Sequence, residues 1–313
     1  MPNLADGPVN AGGAMPFGRT FPAAAGITII SALLFTVSHG IIRHLGGDIH
    51  PFVMAFFSNL FSALFYVPWL MRVGLGAMRT QKFPLHVARS FVNVAALSTW
   101  YMALSLTPIA DAAALGLAAP LFLTLGAAFF LGEAMKLRRW AAIGVGIIGA
   151  LIIIRPGFET LNTGFIFVLL SGMFSSGTKL FAKHLSKWDS AITCSAYVAI
   201  LQTPLSFILA LFFWTTPSLT QLGWLAAVGV LAALGHITMV RAILYVEVSS
   251  LEPFTFVRLI WAAAIGYLAF AEFPGPWTWL GAAIIVCATT YIVRREAQLH
   301  RTQASASAPP PGI

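Results

Sequence analysis

Charged residues are scarce in this chain. Of its 313 residues only 9% are Asp, Glu, Lys or Arg, whereas a soluble domain carries about 25%. Hydrophobic residues make up 58% of the chain, and the mean hydropathy is +0.85. This composition excludes a soluble globular domain and indicates a helical protein that crosses a membrane several times.

Cysteine is nearly absent as well. The two cysteines, Cys194 and Cys287, both fall inside apolar segments. They therefore predict neither a disulfide framework nor a metal site.

Long apolar runs are abundant. A helix needs about 20 apolar residues to cross a bilayer. The sequence predicts ten spans, at 23–44, 51–72, 84–106, 110–131, 138–155, 163–184, 190–213, 220–243, 249–271 and 277–294. Residues 1–22 and 295–313 have no apolar face to bury and are predicted to be disordered cytoplasmic tails.

The basic residues are shared unevenly between the two sides of these spans. Thirteen of the 18 fall on the side that carries both termini, and only Arg43 and Arg155 fall on the other. Because cytoplasmic loops are rich in Lys and Arg, we expect both termini in the cytoplasm and the chain in the inner (cytoplasmic) membrane. The net charge of +8 then reflects orientation, and no nucleic-acid partner is expected.

The chain contains an internal duplication. A shift of 139 residues superimposes three pairs of residues, namely Glu133 and Glu272, Trp140 and Trp279, and Arg155 and Arg294. The two halves, 23–155 and 163–294, have five spans each. Because five is odd, the halves insert with opposite topology. The sequence thus predicts an all-α membrane protein with ten transmembrane helices in two inverted five-helix repeats, as is typical of transporters.

Two stretches resemble a known family. Residues 89–157 begin RSFVNVAALSTWYMALSLTPIADAAALG and resemble the EamA domain of the drug/metabolite transporter superfamily. Residues 241–272, which read RAILYVEVSSLEPFTFVRLIWAAAIGYLAFAE, resemble its partner domain. The resemblance extends over 23–294 and implies a ten-helix carrier for small organic metabolites, working by alternating access. One departure is the second span, where family members often carry an arginine and this chain has Ser58 and Asn59.

The substrate expected from this resemblance is an amino acid, aromatic or hydrophobic, moved by export. An importer of a compound such as riboflavin or S-adenosylmethionine is the alternative within the family. A membrane-embedded transferase is the alternative from another class, and it would need a polar catalytic cluster that the sequence does not show. No catalytic residue, cofactor or metal is expected.

Six residues within the spans are candidates for substrate binding, because polar groups in a bilayer are costly and rarely lack a role. They are His39, Asn93, Trp100, Tyr101, His236 and Arg258. Trp100 and Tyr101 could form an aromatic wall, and the Arg258 guanidinium could hold a substrate carboxylate. Each also has a structural alternative: ring packing, hydrogen bonds between helices, or, for Arg258, bonds to carbonyls of broken helices.

None of the ten acidic residues lies at the centre of a span. Coupled carriers usually place a carboxylate there, so facilitated diffusion and exchange remain open beside proton coupling through a histidine. The expected partners are a small-molecule substrate, the lipid bilayer and, in the coupled case, a proton. The oligomeric state stays open, and a monomer is compatible with the sequence.

Other polar and helix-breaking residues are predicted to be structural. Glu133 and Glu272 follow spans and are expected to cap hairpins. Gln202 and Ser206 share a face of the seventh span and are expected to bond to other helices. Pro120 in the fourth span removes a helical hydrogen bond and predicts a kink.

Overall fold

The computed structural model describes residues 17–73, 80–131, 137–156, 162–185, 188–189, 191–245, 251, 254 and 256–307. Residues 1–16 and 308–313, together with Glu133, lie outside this part of the chain. The described residues form eleven helices: α1 Phe17–Leu45, α2 Pro51–Val73, α3 Phe83–Leu106, α4 Ile109–Gly116, α5 Ala119–Leu131, α6 Leu137–Ile154, α7 Thr163–Leu185, α8 Ala191–Leu211, α9 Leu219–Tyr245, α10 Val257–Phe270 and α11 Pro276–Ser307.

Six helical segments are long and apolar enough to cross a membrane. They are Phe21–Leu45, Ile109–Gly126, Leu137–Ile154, Thr163–Leu185, Leu219–Met239 and Pro276–Arg294. Shorter apolar helices, Pro51–Phe65, Ile200–Leu211 and Val257–Phe270, fall at three other expected spans. The remaining span is α3, which has 24 residues but carries His86, Arg89 and Asn93 among its apolar positions. These polar side chains indicate that part of α3 faces other helices and not lipid.

The fourth span is broken, where the sequence predicts one helix over 110–131. Helix α4 ends at Gly116 and α5 begins at Ala119. Pro120 has no N–H to donate to the carbonyl of Gly116, so the helical ladder is interrupted there. Pro120 consequently lies in the first turn of α5, a position that suits proline.

Both outer helices are longer than the predicted spans. Helix α1 already begins at Phe17, and α11 continues to Ser307, so parts of the two expected disordered tails are helical. Residues 295–307 are rich in Ala, Gln, Arg and Glu, which favour helix. Extending an existing helix requires no new nucleation, which is why a weakly apolar tail can continue it.

The helices pair in a two-fold pattern. Helix α1 packs on α9 and α3 packs on α7, and exchanging the two halves converts one pair into the other. Helices α2 and α8 pack on each other, as do α6 and α11, and each of these pairs is its own image under that exchange. With five spans per half, this two-fold lies in the membrane plane, which confirms the inverted repeat.

Candidate functional site

Helix α1 carries two rings one turn apart that contact one helix from each half. His39 meets Trp100 of α3 edge-on, with ring centroids 5.2 Å apart and an interplanar angle of 66°. Phe35 meets His236 of α9 in the same manner, at 4.9 Å and 78°. Positions four apart lie on one helical face. One face of α1 therefore joins rings from the first half to a ring from the second.

Arg258 brings a positive charge close to His39 of α1. It lies on α10, seven residues before Ile265, and a Cβ placed on Gly40 of α1 would be 3.0 Å from Ile265 Cγ2. Residues seven apart share a helical face, so Arg258 is on the side of α10 that meets α1. Arg258 interacts electrostatically with His39. We refer to Phe35, His39, Trp100, His236 and Arg258 as the central cluster.

Asn93 belongs to a chain of amide side chains instead. Its Nδ2 donates to Oε1 of Gln202 at 2.6 Å, and Nε2 of Gln202 donates to Oδ1 of Asn59 at 2.5 Å. The chain continues from Asn59 Nδ2 to Ser206 Oγ at 3.2 Å. It links α2 and α3 of the first half to α8 of the second. Each amide stabilises the next in surroundings where an unpaired amide would be costly.

Tyr101 also turns away from the central cluster. Its side chain is 4% exposed, and its hydroxyl lies close to Ser58 of α2. Successive residues on a helix point about 100° apart, so Trp100 can face α1 while Tyr101 faces α2. The two rings do not form one wall.

An ion pair joins the halves on the side opposite the two ends of the chain. Arg43, at the end of α1, donates to Oε1 of Glu272 from Nη2 at 2.8 Å and from Nε at 3.1 Å. Arg43 Nη1 also donates to the carbonyl of Ser105 at 2.9 Å. The other carboxylate oxygen of Glu272 accepts from the backbone N–H of Ile109 at 3.0 Å. Glu272 thus caps the first turn of α4, which agrees with the structural role expected of it.

A contact between a histidine and a carboxylate joins the halves on the other side. His86 Nε2, in the first turns of α3, lies 2.9 Å from Oδ2 of Asp189, which follows α7. The Thr80 hydroxyl donates to the same oxygen at 2.7 Å. Burial alone would raise the pKa of the Asp189 carboxyl. The hydrogen bonds from His86 and Thr80 and the charge of His86 outweigh it, so the pKa lies below its ordinary value.

A model of the EamA-like transporter family matches residues 23–155 and 162–294. The chain belongs to this family. This confirms the resemblance seen in the sequence, and it establishes a multi-pass membrane transporter of the drug/metabolite transporter superfamily that is not an enzyme.

Three curated relatives of this EamA-like transporter show the range of cargoes. A riboflavin transporter from Vibrio cholerae is 33% identical over 241 residues, 76% of this chain and 80% of the relative. An S-adenosylmethionine uptake transporter from Rickettsia bellii is 27% identical over 278 residues, 89% of this chain and 96% of the relative. A pseudopaline exporter from Pseudomonas aeruginosa is 24% identical over 270 residues, 86% of this chain and 95% of the relative.

Four of the six residues expected to bind substrate come together in the transporter, and two do not. His39, Trp100 and Arg258 lie around α1, and His236 joins them through Phe35. Phe35 was not among the candidates, although its spacing of four from His39 is a signal in the sequence. Asn93 bonds to Gln202 of α8, and Tyr101 lies close to Ser58 of α2.

The partners of Asn93 and His86 were not foreseen. Gln202 was expected to bond to another helix, and it does, but nothing in the sequence specified Asn93. His86 and Asp189 carry no motif at all, and they meet only because α3 packs beside the connection between α7 and α8.

Proposed function

We propose that the central cluster is the substrate site of a carrier for planar ring metabolites, with riboflavin as the first candidate. The observation that carries this is the set of ring contacts about α1, Phe35 with His236 and His39 with Trp100, beside the charge of Arg258. Edge-on rings leave faces and edges on which another flat ring can pack. Carriers of this architecture bind substrate between their halves near the midplane, and this cluster draws on both halves.

The relatives support riboflavin over S-adenosylmethionine as the first compound to test. The riboflavin transporter has the higher identity, 33% against 27%. We propose uptake as the direction.

Export of an aromatic or hydrophobic amino acid is the second candidate. Arg258 favours it, because a guanidinium binds a carboxylate in a two-pronged arrangement. One relative is named as an exporter, of pseudopaline.

We also propose that the protein lies in the inner membrane with both termini in the cytoplasm. The support is the distribution of basic residues, 13 of 18 on the side of the termini. Impermeant thiol labelling of single cysteines at Asn3 and Ser307 tests it. Labelling of either from outside intact cells would contradict this orientation.

The experiment that tests the substrate uses purified protein in liposomes, with and without a pH gradient. Riboflavin, S-adenosylmethionine, tryptophan and phenylalanine are supplied in turn. We expect riboflavin to cross faster than in protein-free liposomes. Movement of the amino acids alone would favour the second candidate, and movement of none of the four would reject the planar-ring proposal. An effect of the gradient would show proton coupling, and none would favour facilitated diffusion.

Variants then locate the site. Trp100→Leu removes a ring contact worth about 0.5–1.5 kcal/mol, so riboflavin affinity should fall by up to about tenfold. Trp140→Leu, at an exposed position of α6, is the matched control and should leave affinity unchanged. If Trp100→Leu and Trp140→Leu bind riboflavin with equal affinity, the substrate does not bind at the central cluster.

A further inference from the structure

Two contacts of acidic side chains, one with an arginine and one with a histidine, tie the halves of the transporter together, one at each face of the membrane. Arg43 of the first half holds Glu272 of the second on the face opposite the chain ends. His86 of the first half holds Asp189 of the second on the face where α1 begins. We propose that these pairs are the two gates of the carrier, which open in alternation, and both pairs are formed in this structure.

The Arg43–Glu272 pair covers the central cluster from its side. Arg43 follows His39 by four residues, so it stands one turn beyond it on the same face of α1. Through Arg43 and Glu272 the pair ties together four segments: the end of α1, the end of α3 at Ser105, the start of α4 at Ile109 and the residues after α10. Three of these segments extend from α1, α3 and α10, which carry residues of the central cluster.

The His86–Asp189 pair covers the cluster from the other side. On α3, His86, Asn93 and Trp100 are seven residues apart, which places them on one face of the helix. That face leads from the cluster at Trp100, past the bond of Asn93 to Gln202, to the contact of His86 with Asp189. The His86 side chain is fully buried in this contact.

Helix α3 connects the two gates mechanically. Its 24 residues span about 36 Å, close to the thickness of a bilayer. One end holds Asp189 through His86, and the other meets Arg43 through its last carbonyls. A rigid helix that tilts away from one partner moves towards the other. The pairs are suited to repeated opening, because water that solvates the separated charges offsets much of the lost attraction.

The test measures access to the cluster and needs no substrate, so it is independent of the riboflavin proposal. In a background with Cys194→Ser and Cys287→Ser, a single cysteine is placed by Phe35→Cys. An impermeant thiol reagent is then added to right-side-out or inside-out vesicles. With both gates intact, labelling should be slow from either side.

Glu272→Gln removes the charge but keeps an oxygen to accept from Ile109. We expect labelling from the side of Glu272 to become about tenfold faster, which corresponds to a shift of about 1.4 kcal/mol in the gate equilibrium. Labelling from the other side should not rise. Asp189→Asn, which keeps an acceptor for Thr80, should show the reverse pattern.

Two further variants keep the test decisive if a single substitution disturbs folding. Arg43→Gln breaks the same pair from its other partner and must accelerate labelling on the same side as Glu272→Gln. Ser176→Ala is the matched control, because it removes a 2.9 Å bond to the carbonyl of Ala119 that joins α7 to α5 across the halves, away from both pairs. Unchanged labelling in folded gate variants, acceleration on both sides, or equal acceleration by Ser176→Ala would each overturn the proposal.

Discussion

Gly149 of α6 and Gly281 of α11 touch backbone to backbone. A Cβ added to Gly149 would lie 2.9 Å from the carbonyl oxygen of Gly281, and one added to Gly281 would lie 2.5 Å from that of Gly149. Small residues at such a crossing let two membrane helices approach closely enough for dispersion and weak Cα–H···O contacts to hold them. This contact joins α6, the last span of the first half, to α11, the last span of the second.

We expect Gly281→Ala to lower the thermal stability of the purified protein in detergent. The added methyl would collide with backbone that cannot move aside, at a cost of about 1–3 kcal/mol. This outweighs the gain of about 1 kcal/mol that alanine brings to a helix. Gly144→Ala, on the same helix pair with no atom within 4 Å of the new Cβ, is the control and should stabilise. A melting temperature of Gly281→Ala as high as that of the control would contradict the close contact.

Ala271→Gly should stabilise the protein. Ala271 ends α10 with φ of 52°, in the left-handed region, and donates its N–H to Tyr267. For an L-residue with a Cβ this conformation costs about 1 kcal/mol or more, and for glycine it does not. The duplicated sequence has Gly132 at the equivalent place, outside the described residues.

The control for this substitution is Ala264→Gly, in the middle of α10 and half-buried. Glycine in a helix interior costs about 1 kcal/mol relative to alanine, so this variant should melt lower than wild type. If both glycine variants lower the melting temperature, the left-handed end of α10 is not what limits stability there.

Gln202→Leu should destabilise the protein more than an ordinary polar-to-apolar change. It leaves the Asn93 amide without its acceptor and the Asn59 carbonyl without its donor, and each unpaired buried group costs about 1–3 kcal/mol. Thr178→Val is the control, because that hydroxyl bonds only to the carbonyl of Phe174 in its own helix. Thermal unfolding of both variants in detergent provides the comparison, and equal melting temperatures would show that the amide chain contributes little.

His50 should make stability depend on pH. It stacks on Phe213, with centroids 4.2 Å apart and planes within 7°, and its Nδ1 accepts from the N–H of Phe52. Burial lowers its pKa from the ordinary 6.5. Neutral His50 therefore stabilises the fold fully above about pH 6.5, and this contribution is lost as the pH falls towards the lowered pKa.

The measurement is the melting temperature between about pH 7.5 and 5.5, across the ordinary histidine range. His50→Phe keeps a ring on Phe213 and does not titrate, so its melting temperature should fall less than that of wild type. His184→Phe, at the exposed end of α7, should fall as wild type does. Parallel curves for wild type and His50→Phe would remove His50 from the pH response.

Much of the architecture follows from the sequence, because membrane insertion is decided locally. A run of about 20 apolar residues satisfies its own backbone hydrogen bonds as a helix wherever it lies in the bilayer. Run lengths were therefore enough to place α2, α3, α6, α7, α8 and α9 within about two residues at each end. An offset of 139 residues was enough to reveal the two halves. Even the break in the fourth span has a local cause, Pro120. The structure was needed to show that the helix ends at Gly116 and restarts at Ala119, and does not simply bend.

Partner choice is a different matter, because it depends on which helix faces lie together after packing. Trp100 and Tyr101 are adjacent in the chain, yet one meets His39 and the other Ser58, since neighbouring side chains diverge by about 100° around a helix. Arg43 and Glu272 are 229 residues apart and meet only when α1 lies against α10. A sequence can mark such residues as costly in a bilayer, but the partner that offsets the cost is chosen by the arrangement of the helices.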